Sequence, residues 1–451
     1  MRRRSLLASV GTAALAGVTG CSALGRDSSP DPAIDVAETA LRDDPTPPSL
    51  TGFATGETVT LVATLTDGEG VEWRSETDFE ADGEGAVDVA SQAPVARSYS
   101  GVDPMGWLWS MTPQAPEADE ATTFASTGDE TEIRLAASTG DAGAEPDAST
   151  TLMRRHRAEG VSRTEVETAD LLGVYFEPAG SGPHPGALAL HGSGGSPATN
   201  VAELLASHGY ATFAAQYFGT HDAVPDTLER VPLEYFDGAV DWLTAKDEVQ
   251  DGDVGVWGGS RGGELALLLG AHFDWPGAVV ARNGSGVVWN GDSSVAESAW
   301  SLDGEPVPHL AVASFQRERS DENYTVWRAA YVSGYDGADE ATLAAATIPV
   351  EDIDAPTLLV AGEADELWPS AVLAEHAVDR IREHDADFDV RYESYADAGH
   401  LVVPPYRPTH GLRYVQSRLW LTGGTPAGNA AAAADAWPTV LDCFDRGLGG
   451  A

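Results

Sequence analysis

The chain has 451 residues, with 71 Asp or Glu against 26 Lys or Arg, for a formal net charge of −45. That charge repels a phosphate backbone and excludes nucleic acid as a partner, while 42% apolar residues and 12 Trp exclude a disordered chain. Lys246 is the only lysine. Acid-rich, lysine-poor composition is expected of a salt-in halophile, because in molar salt the Debye length falls to about 3 Å and surface carboxylates stop repelling one another.

The first element is a leader. Arg2-Arg3-Arg4-Ser5-Leu6-Leu7 opens it, a short apolar stretch of small residues follows over 6–18, and Val18-Thr19-Gly20-Cys21 reads as a lipobox. Together they predict a twin-arginine lipoprotein signal over 1–21, lipidation at Cys21, and a protein held on the outer face of the cell membrane. The apolar stretch is too short for a membrane span. Residues 22–47, rich in Asp, Ser and Pro, read as a disordered tether. Cys21 and Cys443 are the only cysteines, so lipidation of one leaves no disulfide and no cysteine metal site.

Residues 50–135 alternate as strands do, within a first domain expected over 48–150. Thr58-Val59-Thr60-Leu61-Val62-Ala63-Thr64-Leu65 ends on the Asp67-Gly68 turn signal. An Ala/Gly/Asp/Ser stretch over 136–150 reads as a loop at a domain junction. The dense cluster Arg154, Arg155 and Arg157 reads first as salt bridges on an acidic surface and second as a group that neutralises the phosphates of a substrate.

From about 165 onward strands and helices alternate, which requires a mostly parallel sheet flanked by helices, with a second domain over 151–451. Ala187-Leu188-Ala189-Leu190 is a strand running into His191-Gly192-Ser193-Gly194-Gly195. That glycine loop lacks the G-K-[ST] ending of a phosphate loop. Val254-Gly255-Val256-Trp257 then leads through Gly258-Gly259-Ser260-Arg261-Gly262 into an apolar helix. G-x-S-x-G between strand and helix is a nucleophile elbow, which lifts the Ser260 hydroxyl above the sheet. The helix start offers free N–H groups to an oxyanion, so Arg261 N–H is one expected donor and Ser193 N–H the other.

Residues 284–350 are irregular and carry Trp289, Trp300 and Trp327; a cap over the site and a surface insertion are both consistent with them. Pro356-Thr357-Leu358-Leu359-Val360-Ala361 is a buried strand that breaks at Gly362-Glu363-Ala364-Asp365-Glu366. Asp365 is the expected acid, with Glu363 and Glu366 as competitors. Six histidines follow Ser260: His272, His309, His376, His384, His400 and His410. Only His400 sits in a Gly-His loop after a late strand, where this fold delivers its base. A serine nucleophile needs a base and the base an orienting acid, so Ser260, His400 and Asp365 form the expected triad.

These stretches resemble one family, the acyl-CoA thioester hydrolases together with the bile acid-CoA:amino acid N-acyltransferases. The resemblance runs through Leu190-His191-Gly192-Ser193-Gly194-Gly195, Leu233-Glu234-Tyr235-Phe236-Asp237, the elbow over 258–265, the acid loop over 362–368, and Gly399-His400 with Pro404-Pro405-Tyr406-Arg407-Pro408. Upstream, Gly101-Val102-Asp103-Pro104-Met105-Gly106 resembles part of the family's immunoglobulin-like N-terminal sandwich. The resemblance covers roughly 45–451 and implies an α/β hydrolase preceded by an immunoglobulin-like β-sandwich. Ala364 stands where the family often has an acid. Amidating members use cysteine at the elbow, so Ser260 favours hydrolysis over transfer.

The implied activity is cleavage of an acyl thioester through an acyl-enzyme on Ser260, with no cofactor and no metal. An exported carboxylesterase acting on oxygen esters, an N-acyltransferase, and a non-catalytic lipid-anchored module are the alternatives. Export favours the esterase, because CoA thioesters belong to the cytosol.

Overall fold

The computed structural model describes residues 31–115, 122–140, 145–221, 224–292, 296–312, 318–319, 324–386, 389–402, 404–411, 413–415 and 418–449. The leader, the lipobox and Cys21 lie outside the described residues.

The N-terminal region is largely antiparallel β-structure. Thr58–Thr66 buries Val59, Leu61, Ala63 and Leu65 and turns its alternate threonines outward, as the period of two requires. It pairs with Glu72–Glu80 across a turn organised by Asp67. The Asp67 carboxylate accepts from the Glu69 N–H (3.0 Å), the Val71 N–H (2.9 Å) and Trp73 Nε1 (3.0 Å). The larger sheet runs Thr39–Leu41, Ala148–Arg155, Glu130–Ser138, Thr58–Thr66, Glu72–Glu80, Ala96–Arg97. A three-stranded sheet of Ala33–Asp35, Ser49–Thr51 and Val87–Asp88 shares its core: Leu50 and Val87 pack with Val59, Leu61, Trp73 and Ile133.

Two expectations need correction here. The tether expected over 22–47 is ordered where it is described: Ala33–Asp35 pairs with Ser49–Thr51, and Thr39–Leu41 runs parallel to Met153, Arg154 and Arg155. The junction loop expected over 136–150 is shorter and lies within one sheet: 136–138 end the strand Glu130–Ser138 and 148–150 begin its antiparallel partner Ala148–Arg155, so the N-terminal sheet extends past 150. In both places backbone pairing, which needs no apolar side chain, overrides a polar composition.

The second region is built on an eight-stranded sheet in the order Ser162–Glu167, Leu172–Glu177, Ala211–Gln216, His184–Leu190, Val249–Gly259, Pro276–Arg282, Thr357–Gly362, Val390–Tyr395. The first three strands pair antiparallel and the rest parallel. Helices cover both faces, which is why the central strands read as unbroken apolar runs. On one face Val256, Val279 and Leu359 meet Leu265, Leu268 and Leu269 of the helix Arg261–His272. On the other, Trp257, Val280 and Val360 meet Ala432, Trp437, Val440 and Phe444 of the helix Pro426–Leu448.

The two regions are clasped by residues 42–46. Arg42 pairs with Glu203 at 3.0 Å. Asp43 Oδ2 accepts from His208 Nε2 (2.6 Å) and from Trp437 Nε1 (2.7 Å). Arg154, nearly fully buried, donates from Nη1 to Thr46 Oγ1 (2.8 Å) and from Nη2 to the Arg42 carbonyl. Arg155 is held by Glu130 and Glu159, and Arg157 by Asp129. The arginine cluster is thus taken up in ion pairs and domain contacts.

Burial acts to raise the Asp43 carboxyl, but the bonds from His208 and Trp437 outweigh it and hold it below its ordinary 3.8. Asp43 in turn lifts the His208 imidazole above 6.5. A raised imidazole stabilises the fold fully below pH 6.5 and loses that contribution as pH rises through the raised value; the depressed carboxyl loses its own as pH falls below 3.8. Asp43→Ala is therefore expected to cost about 2 kcal/mol, less than a fully buried pair because His208 is partly solvated. Urea unfolding at about pH 5.5 and about pH 8.5 checks this, the larger penalty being expected at the lower pH.

Candidate active site

The strand Val249–Gly259 ends in a turn that only small residues permit. A Cβ on Gly258 would sit 1.9 Å from the Gly262 carbonyl oxygen. Ser260 takes φ 59° and ψ −123°, a conformation that side chains rarely adopt and that persists only where the surroundings enforce it. The enforcement is visible. Ser260 N–H donates to the Arg282 carbonyl (2.8 Å), and the Ser260 carbonyl accepts from Gly263 N–H (2.8 Å) and Glu264 N–H (3.1 Å).

The loop after His184–Leu190 closes on the same serine. A Cβ on Gly192 would lie 3.0 Å from Ser260 Cβ and 3.5 Å from Ser260 Oγ, so the glycine is what lets this backbone approach. Ser193 follows directly. Arg261 opens the helix, so its own N–H has no acceptor in a preceding turn. His191 stacks flat on Tyr217, with ring centroids 4.0 Å apart, and its Nδ1 bonds the Gly192 carbonyl (2.7 Å). Burial pushes its imidazole down to about 4, so it stays neutral and acts as a spacer under the loop.

The strand Thr357–Gly362 delivers Asp365, which is fully buried. One carboxylate oxygen accepts from Leu367 N–H (2.8 Å) and Trp368 N–H (3.3 Å). The other meets His400 Nδ1 at 2.7 Å. His400, also buried, stands edge-on to the Trp368 ring. With Nδ1–H donated to Asp365, Nε2 is left as the basic nitrogen. Of the competitors, the Glu363 carboxylate accepts from Ser394 Oγ (2.8 Å), and His400 Nδ1 bonds Asp365 rather than Glu363 or Glu366. Among the described residues the Ser260 hydroxyl makes no hydrogen bond to His400 Nε2, while His400 Nδ1 is bonded to Asp365.

His376 is a structural bridge, holding Tyr335 Oη at 2.9 Å and Thr347 Oγ1 at 3.0 Å. Among the described residues no cluster of three His, Cys, Asp or Glu side chains is arranged to hold a metal ion.

Sequence reasoning missed the charges beneath the elbow. The Arg261 side chain, 2% exposed, pairs with the fully buried Glu264 at 2.9 Å. Arg261 Nη2 donates to the Trp289 and Asn290 carbonyls (3.1 and 3.0 Å). Glu264 Oε1 accepts from Trp289 N–H (3.2 Å) and Trp300 Nε1 (2.8 Å). The irregular segment after 284 is thus hung from the first turn of the elbow helix. It also reaches the acid loop, where Arg328 Nη1 donates to the Asp365 carbonyl (2.7 Å). Position 261 was singled out for its backbone; nothing in an R-x-x-E spacing reveals that both side chains point inward.

The doubly covered parallel sheet, with a strained serine at one strand end and a buried Asp–His pair at two later ones, defines an α/β hydrolase. Residues 231–450 match the family described as BAAT / Acyl-CoA thioester hydrolase C terminal, and residues 43–168 match the acyl-CoA thioester hydrolase/BAAT N-terminal region. The chain is 30% identical over 417 residues to acyl-coenzyme A thioesterase 1 of Homo sapiens, covering 90% of this chain and 94% of that one. It is 31% identical over 421 residues to acyl-coenzyme A thioesterase 5 of Mus musculus, again covering 90% and 94%. It is 29% identical over 424 residues to the peroxisomal succinyl-coenzyme A thioesterase of Mus musculus, with the same coverage. The chain belongs to the acyl-CoA thioester hydrolase/BAAT family.

Burial raises the Glu264 carboxyl to about 7, against the pull of Arg261. A raised carboxyl favours the fold most below its ordinary 4.5, and that contribution is lost as pH rises toward 7. Glu264→Gln is expected to leave the Arg261 charge buried and unpaired, at a cost of about 3 kcal/mol. The variant should also lack the part of the wild-type stability loss that falls between pH 4.5 and 7, read by denaturant unfolding across that range.

Proposed function

We propose that this enzyme is a serine hydrolase that cleaves acyl thioesters of the acyl-CoA class. The observation that carries the reading is the buried Asp365–His400 bond of 2.7 Å, formed at the edge of the sheet that also presents the strained Ser260. In this mechanism Ser260 Oγ attacks the acyl carbonyl while His400 Nε2 takes its proton. Asp365 stays ionised and stabilises the imidazolium. The oxyanion is received by the N–H groups of Arg261 and Ser193. Collapse breaks the carbon–sulfur bond, and His400 returns the proton to the leaving thiol. Water, deprotonated by His400, then attacks the acyl-enzyme and releases the acid and free Ser260.

The acyl-CoA class is supported by the relatives, whose names carry it. An oxygen-ester substrate is the second reading, favoured by the leader Arg2-Arg3-Arg4-Ser5-Leu6-Leu7 and the lipobox ending at Cys21, which send the protein out of the cytosol. Transfer to an amino acid is disfavoured by serine at the elbow, since the acyl-enzyme is then an ester open to water.

A panel of acyl-CoA thioesters beside matched oxygen esters, in molar salt, tests the reading. The thioesters should turn over faster, and Ser260→Ala should lower kcat by about 10⁴-fold or more. Faster oxygen-ester cleavage would make the protein a carboxylesterase, an amide as main product with glycine or taurine would make it a transferase, and full turnover by Ser260→Ala would discard the triad.

The address and the working medium are proposals as well: a lipid-anchored form starting at Cys21, stable in concentrated salt. Mass spectrometry of the native N-terminus should find a lipidated Cys21, and thermal unfolding should occur at a higher temperature in molar salt than in dilute buffer. An unmodified Cys21 in a cleaved soluble protein overturns the anchor, and an unchanged midpoint overturns the salt adaptation.

A further inference from the structure

The last residues of the strand Pro276–Arg282 and the residue after it have no part in the triad, yet they touch both of its supporting loops. Asn283 is fully buried and held at φ 45°, the left-handed region that asparagine tolerates better than other side chains. Every polar atom it has beyond Cα is used. Its backbone N–H donates to the Val360 carbonyl (2.6 Å) and its carbonyl accepts from Trp368 Nε1 (3.0 Å). Side-chain Oδ1 accepts from Gly362 N–H (3.0 Å), at the root of the acid loop. Side-chain Nδ2 donates to the His400 carbonyl (2.8 Å) and to the Gly399 carbonyl (3.2 Å), in the base loop.

We propose that Asn283 is a positioning residue of the catalytic pair: its carboxamide, bridging Gly362 to Gly399 and His400, holds the His400 end of the base loop against the root of the acid loop. This rests on the triad reading above. A carboxamide is the chemistry required, because the acid loop presents a donor and the base loop presents acceptors, and one short side chain must satisfy both. Further from the histidine the two loops also meet directly, Ala364 N–H donating to the Ala398 carbonyl and Glu363 N–H to the Tyr395 carbonyl (both 3.0 Å), but at Gly399 and His400 the remaining backbone contacts come from other sides. Gly399 N–H donates to Asn429 Oδ1 (2.7 Å), His400 N–H to the Thr422 carbonyl (2.7 Å), and Arg282 Nη1 also reaches the His400 carbonyl (2.5 Å). None of those three contacts reaches the acid loop. Asn283 is the one side chain among the described residues that bonds the backbones of both loops. Because Arg282 also accepts the Ser260 N–H on its carbonyl, the same strand end places the elbow in register with the pair.

The test uses Asn283→Gly, which keeps the left-handed backbone and deletes the bridge, and Asn283→Asp, which keeps the shape and Oδ1 but replaces the Nδ2 donor. Steady-state kinetics on an acyl-CoA thioester are read with circular dichroism and with the low-field proton resonance of the His400–Asp365 hydrogen bond. The expected result is folded protein whose kcat falls about 10- to 100-fold with KM within about twofold, and a low-field resonance that is shifted or lost. Wild-type kcat in either folded variant overturns the proposal, as does a lowered kcat with the resonance unchanged. Failure of both variants to fold also overturns it, by showing a role in stability alone. Ser260→Ala and Asp365→Asn run alongside. Should those two keep full turnover, the triad itself is wrong; should they be inactive while the Asn283 variants work normally, only the positioning role is.

Discussion

The site depends on how closely three stretches of backbone can approach at the elbow. Strand must become helix within one residue, and Gly258 and Gly262 lie so close that neither a side chain nor a relaxed Ser260 fits between them. The strain, typically one to three kcal/mol for such a residue, is held by the bond from Ser260 N–H to Arg282 and by the helix that starts directly behind it. Gly192 then brings the neighbouring loop within van der Waals contact of the serine. Remove the close approach and the loop after His184–Leu190 no longer lies against the start of the helix Arg261–His272.

Around that point the protein uses buried polar groups in two different ways. The Asp365–His400 pair is small and nearly saturated with hydrogen bonds, leaving one imidazole nitrogen, Nε2, without a partner among the described residues. The Arg261–Glu264 pair has no reacting atom to offer. It takes up the carbonyls of Trp289 and Asn290, the backbone N–H of Trp289 and the indole N–H of Trp300, in a segment whose sheet pairing is limited to isolated bridges and the short strand Trp300–Leu302. A buried ion pair is a costly anchor, but it can satisfy an irregular segment from one helix turn, which apolar packing cannot do.

The N-terminal β-region is joined to this machinery by more than a linker. The clasp at 42–46 binds the helices Thr199–Ser207 and Pro426–Leu448 on one side of the junction. On the other, the Pro-rich continuation of the base loop lies against the N-terminal core: Tyr406 packs there, and Thr409 N–H donates to the Trp109 carbonyl (3.2 Å). A small cavity of about 70 Å³ remains between them, lined by Arg42, Arg154, His156, Tyr406 and Arg407. The loop that carries His400 is therefore continuous with the domain interface.

Local chemistry was legible in the sequence, because its signals are local. The elbow shows as glycines flanking a serine between an apolar run and a helix. The acid and base loops show as breaks after buried strands, and the order Ser, Asp, His follows from the order of the strands. The acidic composition is likewise readable without coordinates. What the sequence could not give was anything set by pairing at a distance. Thr39–Leu41 looks like tether until it finds the end of Ala148–Arg155, and Asp43 looks solvated until His208 and Trp437 close on it. Asn283 is an ordinary Asn-Gly step in sequence, and Arg261 and Glu264 look like a surface pair. Only the tertiary structure places them in the interior, because burial is decided by which segments pack over a residue, and those segments lie tens to hundreds of residues away.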